Sequence, residues 1–189
     1  MKAIKRIFSF VPPFALWLML CVLVWGFVFL RITDAPRENK LVICIDADVP
    51  GDTALAVYLE ERLPKEVRMV QARPFTYAMF DSDALRQADL FIVKASHIAD
   101  YRDWFAPLPE SLRETTGALT VDGAALGLPA YEAETGQGVA AQYVRYASPG
   151  EEAEDYYLVF GASSLHNAER EQASDDWAKD AALLLLAMQ

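Results

Sequence analysis

Cysteine and histidine are nearly missing from this chain of 189 residues, which has two of each. Cys21 lies in an apolar run and Cys44 in an expected core strand, so the two thiols are not expected to meet. A disulfide framework, a redox pair and a cysteine-held metal are thereby excluded, and both side chains read as small buried apolar groups. His97 and His166 stand 69 positions apart and offer a zinc ion too few ligands. Ser163, Ser164 and His166 are the residue types of a hydrolase, but no G-x-S-x-G elbow accompanies them. No internal repeat or low-complexity tract is visible.

Acid is missing from one region altogether. All 27 acidic residues follow Leu30, whereas Lys2, Lys5 and Arg6 precede it. Beyond Leu30, fourteen basic residues face 27 acidic ones, a net charge of −13. A surface so negative repels phosphate backbones, so nucleic acid is not an expected partner. It also disfavours lying flat on anionic lipid.

Between Arg6 and Arg31 there is no charge at all, and "FALWLMLCVLVWGFVFL" is apolar from Phe14 to Leu30. Twenty-four residues at ~1.5 Å each cover about 36 Å, enough for a hydrocarbon core of about 30 Å. The basic cluster before it favours a cytoplasmic N-terminus, with the remainder outside. A secretory h-region runs to only ~7–15 residues and ends in small residues. Here Leu20 precedes Cys21 and nine more apolar residues follow it. The expectation is an uncleaved single-pass anchor in the cell membrane at residues 1–32. A polar linker follows at 33–40 and an extracytoplasmic domain at 41–189.

The domain opens with "LVICI", an apolar run from Leu41 to Ile45 that reads as a strand buried on both faces. Asp52 or Thr53 is expected to cap a helix whose Leu55, Leu59 and Leu63 recur every fourth residue before Pro64 stops it. A second strand is expected over Val67–Ala72, a short helix from Asp81 to Ala88, a third strand in "DLFIVKAS", and a helix from Ser96 to Phe105. This β-α-β-α-β order implies a parallel sheet flanked by helices.

Beyond it, "LTVDGAALGLPAY" reads as a hairpin turning at Asp122-Gly123. "GVAAQYVRYAS" and "YYLVFGASS" read as a second antiparallel pair around a solvated acidic loop, "PGEEAED". Ser174 is expected to cap a closing helix with Trp177, Ala181, Leu184 or Leu185, and Met188 on its apolar face. The expected fold is α/β: one three-layer lobe with a mostly parallel sheet and added antiparallel hairpin strands.

Several of these stretches resemble extracellular solute-binding proteins, the two-lobed receptors of bacterial uptake systems with the type 2 periplasmic-binding fold. "KLVICIDADVPGDTALAVYLEERL" resembles their first strand, ligand-facing turn and helix. "ADLFIVKASHIADYRDWFAPL" resembles a later strand and helix, "VDGAALGLPAY" the hinge hairpin, and "YYLVFGASSLHN" with "DDWAKDAALLLLAM" the returning strand and closing helix. The chain departs from that pattern in one respect. The family builds a second lobe between the positions of Tyr131 and Tyr156, and only 24 residues separate them here. Independent cores below ~40 residues usually need staples, so a single lobe is expected.

The resemblance implies a non-catalytic ligand site at Asp46, Asp48, Ser96 and Tyr131, without metal or cofactor. It also implies a small-molecule solute, or a membrane transporter or sensor, as partner. An accessory protein-interaction domain that has lost the site is the alternative from another class.

"DADVPGD" also admits enzyme readings. A haloacid-dehalogenase-type, Mg²⁺-dependent phosphohydrolase places D-x-D after its first strand, with Asp46 as nucleophile and Asp48 as acid/base; Ser96 would fit its second motif. Its later acidic pair is wanted at a strand end, whereas Asp175-Asp176 opens a helix. A topoisomerase–primase domain would use Asp46, Asp48 and Gly51, but needs a glutamate on an earlier strand where the apolar span lies. An EF-hand fails because Val57 stands where a bidentate glutamate is required.

Overall fold

The computed structural model describes the backbone of residues 2–75, 83–147, 150, 152–167 and 175–188, and the side chains of these except 2–12, 30–33 and 83–84. The chain divides into two units, Met1–Pro36 and Arg37–Gln189. The first is a long helix, α1 (Lys2–Thr33). Its apolar side chains, Phe14, Trp17 and Trp25 among them, are exposed. Among the described residues no helix is long and apolar enough to cross a membrane.

Among the described residues the second unit is built on one mixed sheet of eight strands. In chain order they are β1 (Lys40–Ile45), β2 (Met69–Pro74), β3 (Leu90–Lys94), β4 (Phe105–Ala106), β5 (Leu119–Val121), β6 (Ala124–Glu132), β7 (Gln137–Gly138) and β8 (Tyr156–Gly161). The order across the sheet is β2-β1-β3-β8-β6-β5, with β4 beside β8 and β7 beside β6. β1 pairs in parallel with both β2 and β3. β8 runs antiparallel to β3, β4 and β6. Three of these strands, β2, β1 and β3, therefore form the parallel unit expected from the β-α-β-α-β order, and the other five are joined to it and to one another by antiparallel pairing.

Two cores lie on the two faces. One side of β1, through Leu41, Ile43 and Ile45, packs against Leu55 and Leu59 of α2 (Asp52–Glu60) and Ala178, Ala181 and Leu185 of α5 (Trp177–Leu186). Burying each such leucine contributes roughly 1.5–3 kcal/mol. On the other side Val42, Cys44, Phe91 and Val93 meet Leu85 of α3 (Asp83–Arg86) and Ile98 of α4 (Ala95–Asp100). The result is three layers, helix–sheet–helix.

Local chemistry explains the boundaries and several departures from expectation. Gly51 occupies the N-cap of α2 without a side-chain cap bond. Asp52 Oδ1 instead accepts the Thr53 N–H at 2.7 Å. Asp122 and Gly123 have φ of 50° and 80°, the left-handed pair a two-residue hairpin needs. The helix expected over Ser96–Phe105 ends at Asp100, and Phe105–Ala106 instead joins β8 as β4.

"GVAAQYVRYAS" does not pair with "YYLVFG". Only Gln137–Gly138 of its vicinity is strand, paired with β6, and β8 sits mid-sheet, as its unbroken apolar run permits. The expected cap Ser174 and the start of the helix placed at Asp81 lie outside the described residues.

The sheet edge at β2 is blunted. Glu60 Oε1 accepts the Val70 N–H at 2.7 Å, and Pro74 has no N–H to offer.

Candidate functional site

β1 and β3 are parallel neighbours, so the residues that follow them emerge at one end of the sheet. Asp46 leaves β1 there and donates its N–H to the Ile92 carbonyl at 2.8 Å. Its Oδ2 lies 3.1 Å from Nδ1 of His97, in the first turn of α4. The carboxylate is 12% exposed and the imidazole 30%, so the pair lines the rim of this end. Sequence reasoning assigned His97 only to the start of a helix. The signal that could have found it is the adjacency of β1 and β3, which brings their following turns together.

The other expected ligand residues are met by the chain itself. Asp48 forms a bridge with Arg145, whose N–H donates to the Asp48 carbonyl at 2.8 Å. Arg145 Nη1 also reaches Asp48 Oδ2 at 3.3 Å. The Gly51 N–H donates to the Tyr143 carbonyl at 3.3 Å. The Ser96 N–H donates to Glu154 Oε1 at 2.7 Å, and the Ala95 N–H to the Asp155 carbonyl at 2.9 Å. Burial pushes the Glu154 carboxyl up, but bonds from Ser96 and the side chains of His97 and Lys94 outweigh it and hold the group below its ordinary value.

The acidic loop is thus more than a solvated turn. Glu154 faces Ser96, and Asp155 Oδ1 accepts the Ala133 N–H at 2.9 Å. Tyr131 belongs to a tyrosine cluster. It stacks on Tyr146 at 4.7 Å and meets Tyr156 edge-on at 6.0 Å. The Tyr156 hydroxyl donates to the Tyr146 carbonyl, and the Tyr146 hydroxyl to the Val139 carbonyl. Burial pushes the Tyr146 phenol above its ordinary value.

Residues between β7 and β8 therefore bond to the turns that follow β1 and β3. They join Asp48 and Ser96 through Arg145 and Glu154. Chemically the rim holds one carboxylate–imidazole pair and one exposed ion pair. Among the described residues no three His, Cys, Asp or Glu side chains come together to hold a metal ion.

At the opposite end of the sheet lies a buried polar cluster that joins Ser164 and His166 to Asp89. Asp89 is 2% exposed and immediately precedes β3. Its two oxygens accept the Val42 N–H and the Ser164 hydroxyl, each at 2.8 Å. The His166 N–H donates to Ser164 Oγ at 3.0 Å. The His166 ring lies within 3.0 Å of both Asp175 carboxylate oxygens through Nδ1, 3.1 Å from the Lys40 carbonyl through Nε2, and stacked on Trp177.

Burial pushes the Asp89 carboxyl up, against the lowering pull of the Val42 N–H, the His166 side chain and the Ser164 hydroxyl. Ser164 gives its proton to Asp89 while the His166 ring faces Asp175, so serine and imidazole do not form a nucleophile–base pair. Nearby Cys44 is raised by burial to about 12, an inert thiol.

The architecture defines a three-layer α/β domain with a mixed sheet. No protein-family model and no curated protein matches the chain. Among solved structures, thiaminase I from Bacillus thiaminolyticus is similar at a TM-score of 0.32 and 18% identity, over 49% of this chain and 28% of that one. A likeness so slight carries no argument about fold or chemistry.

Proposed function

We propose that the protein is a membrane-anchored, extracytoplasmic binding domain, non-catalytic, derived from a solute-binding fold and acting on a transporter or sensor in the same membrane. One observation carries the choice of a protein partner over an enclosed solute. The turn residues at the carboxyl ends of β1 and β3 already bond to the chain's own segment 139–155, through Asp48 with Arg145 and Ser96 with Glu154. A solute would have to break those bonds and would meet one wall where tight pockets have two. The charge-free span between Arg6 and Arg31 supports the anchor, and the basic cluster before it supports the orientation.

The test uses the full chain in bacterial membranes, with photocrosslinking side chains at Asp48, Ser96 or Arg145. One membrane protein is expected to be trapped from all three positions, and alkaline carbonate is expected to leave the chain in the membrane pellet. Release by carbonate, or no crosslinked partner from any position, overturns the reading.

A further inference from the structure

A cavity of about 260 Å³ opens beside the buried Asp89 cluster, at the end of the sheet opposite the two aspartates. It is smaller than the ~300–1,000 Å³ clefts that take drug-sized ligands, so its occupant is a small solute. Its floor is made of residues with little or no side chain. Gly161 donates its N–H to the Asp89 carbonyl at 2.9 Å, and a Cβ there would run into the Ala88 carbonyl oxygen. Ala88 and Ala162 line the cavity beside it.

The walls are apolar and braced. Leu85 and Phe91 are buried, and Phe91 meets Phe75 and Phe105 edge-on at 6.0 and 5.4 Å. The Trp104 carbonyl accepts the Ala162 N–H at 2.8 Å, which pins the aromatic wall to the floor. A site so held needs little reorganisation on binding.

Two opposite charges stand at its mouth. The Arg86 guanidinium carbon lies 5.5 Å from the centre of the Trp104 ring, and Asp103 is the neighbour of that tryptophan. Among the described residues no ion pair joins Arg86 to Asp103, and Arg102 beside them is paired with Asp122 instead. Ser163 also lines the mouth and adds a hydroxyl. A cation, an anion and a hydroxyl around a small apolar chamber match a molecule that carries both charges and a short hydrocarbon group.

We propose that this cavity binds a small zwitterion of the α-amino-acid class. Its carboxylate meets Arg86, its ammonium group meets Asp103 and the Ser163 hydroxyl, and its apolar side chain enters between Leu85, Phe91 and Trp104. The site is separate from the strand ends that carry Asp46 and Asp48, and the proposal does not depend on the membrane-partner reading.

The detergent-solubilised full chain is titrated by calorimetry with L-leucine, glycine, butyrate and butylamine. A parallel titration follows Trp104 fluorescence in a variant in which Trp17, Trp25 and Trp177 are replaced by Phe. L-leucine is expected to saturate a single site and to change the Trp104 signal. Glycine, butyrate and butylamine, which lack the side chain or one of the two charges, are each expected to bind about tenfold more weakly or worse. Arg86→Gln and Asp103→Asn, both at exposed positions, are expected to lower L-leucine affinity by a similar factor without moving the thermal midpoint. No saturable binding of L-leucine at millimolar concentration overturns the proposal. So does butyrate binding as tightly as L-leucine, or binding that survives both substitutions.

Discussion

The two ends of the sheet hold their polar residues in opposite ways. Beyond the carboxyl ends of β1 and β3, Asp48 and Arg145 pair with more than half of each side chain in solvent. At the other end Asp89, Ser164 and His166 are all but sealed from water. An exposed pair gains little because water already screens both charges. A buried group exacts the full cost of desolvation unless every lone pair is met. The end that looks like a ligand site from sequence is therefore the energetically loose end, and the buried end is the more demanding one.

Removing Asp89 should break this contrast most sharply. Asp89→Ala leaves the Val42 N–H and the Ser164 hydroxyl buried without their acceptor, and about 3 kcal/mol of stability is expected to go. The loss is read from the urea midpoint of the solubilised full chain. Asp89→Asn can still accept from Val42 and donate to Ser164 Oγ, so it is expected to recover most of the loss. Equal loss in the two variants would mean that the charge, which burial disfavours, matters more than the bonds.

Asp175→Asn comes next. It removes the carboxylate that faces His166 Nδ1, at a site where Asp175 is itself partly exposed. A loss of about 1.5–3 kcal/mol is expected, the range for a hydrogen bond to a charged group. A change near zero would place the binding of α5 in its apolar face alone, through Ala178, Ala181 and Leu185.

How legible each end was follows from the physics of its residues. β1, α2 and β3 could be read directly, because five apolar residues from Leu41 to Ile45 and the fourfold spacing of Leu55 and Leu59 are local patterns. The hairpin at Asp122-Gly123 was legible for the same reason, since its turn demands particular residues. The place of β8 was not, because "YYLVFG" suits any strand with two buried faces and only tertiary packing puts it between β3 and β6. The Asp46–His97 pair joins residues 51 apart. The Ser164–Asp89 bond joins residues 75 apart. No periodicity encodes either. One clue was present: an acid directly before the apolar run "LFIV" needs a partner, and Asp89 finds two.

At the looser end, Glu154 offers a pH test. Its folded carboxyl sits below its ordinary value. Its contribution is therefore present above the unfolded pKa of ~4.3 and is lost as pH falls through the folded value. Because the group is only partly buried, solvent screening keeps the effect to a few tenths of a kcal/mol. Glu154→Gln is expected to flatten that part of the stability profile and to speed amide exchange at Ser96. Unchanged exchange at Ser96 would show that Glu154 does not hold the turn.

The smallest effect is expected at Arg145. Arg145→Ala removes the ion pair to Asp48, but the backbone bond from the Arg145 N–H to the Asp48 carbonyl survives the substitution. Stability should fall by no more than about 0.5 kcal/mol, and added salt should erase the difference between variant and parent. A loss of several kcal/mol, insensitive to salt, would mean that segment 139–155 holds the carboxyl ends of the strands as firmly as Asp89 holds the others. The two ends would then be alike, and partner binding there would have to displace a structural element.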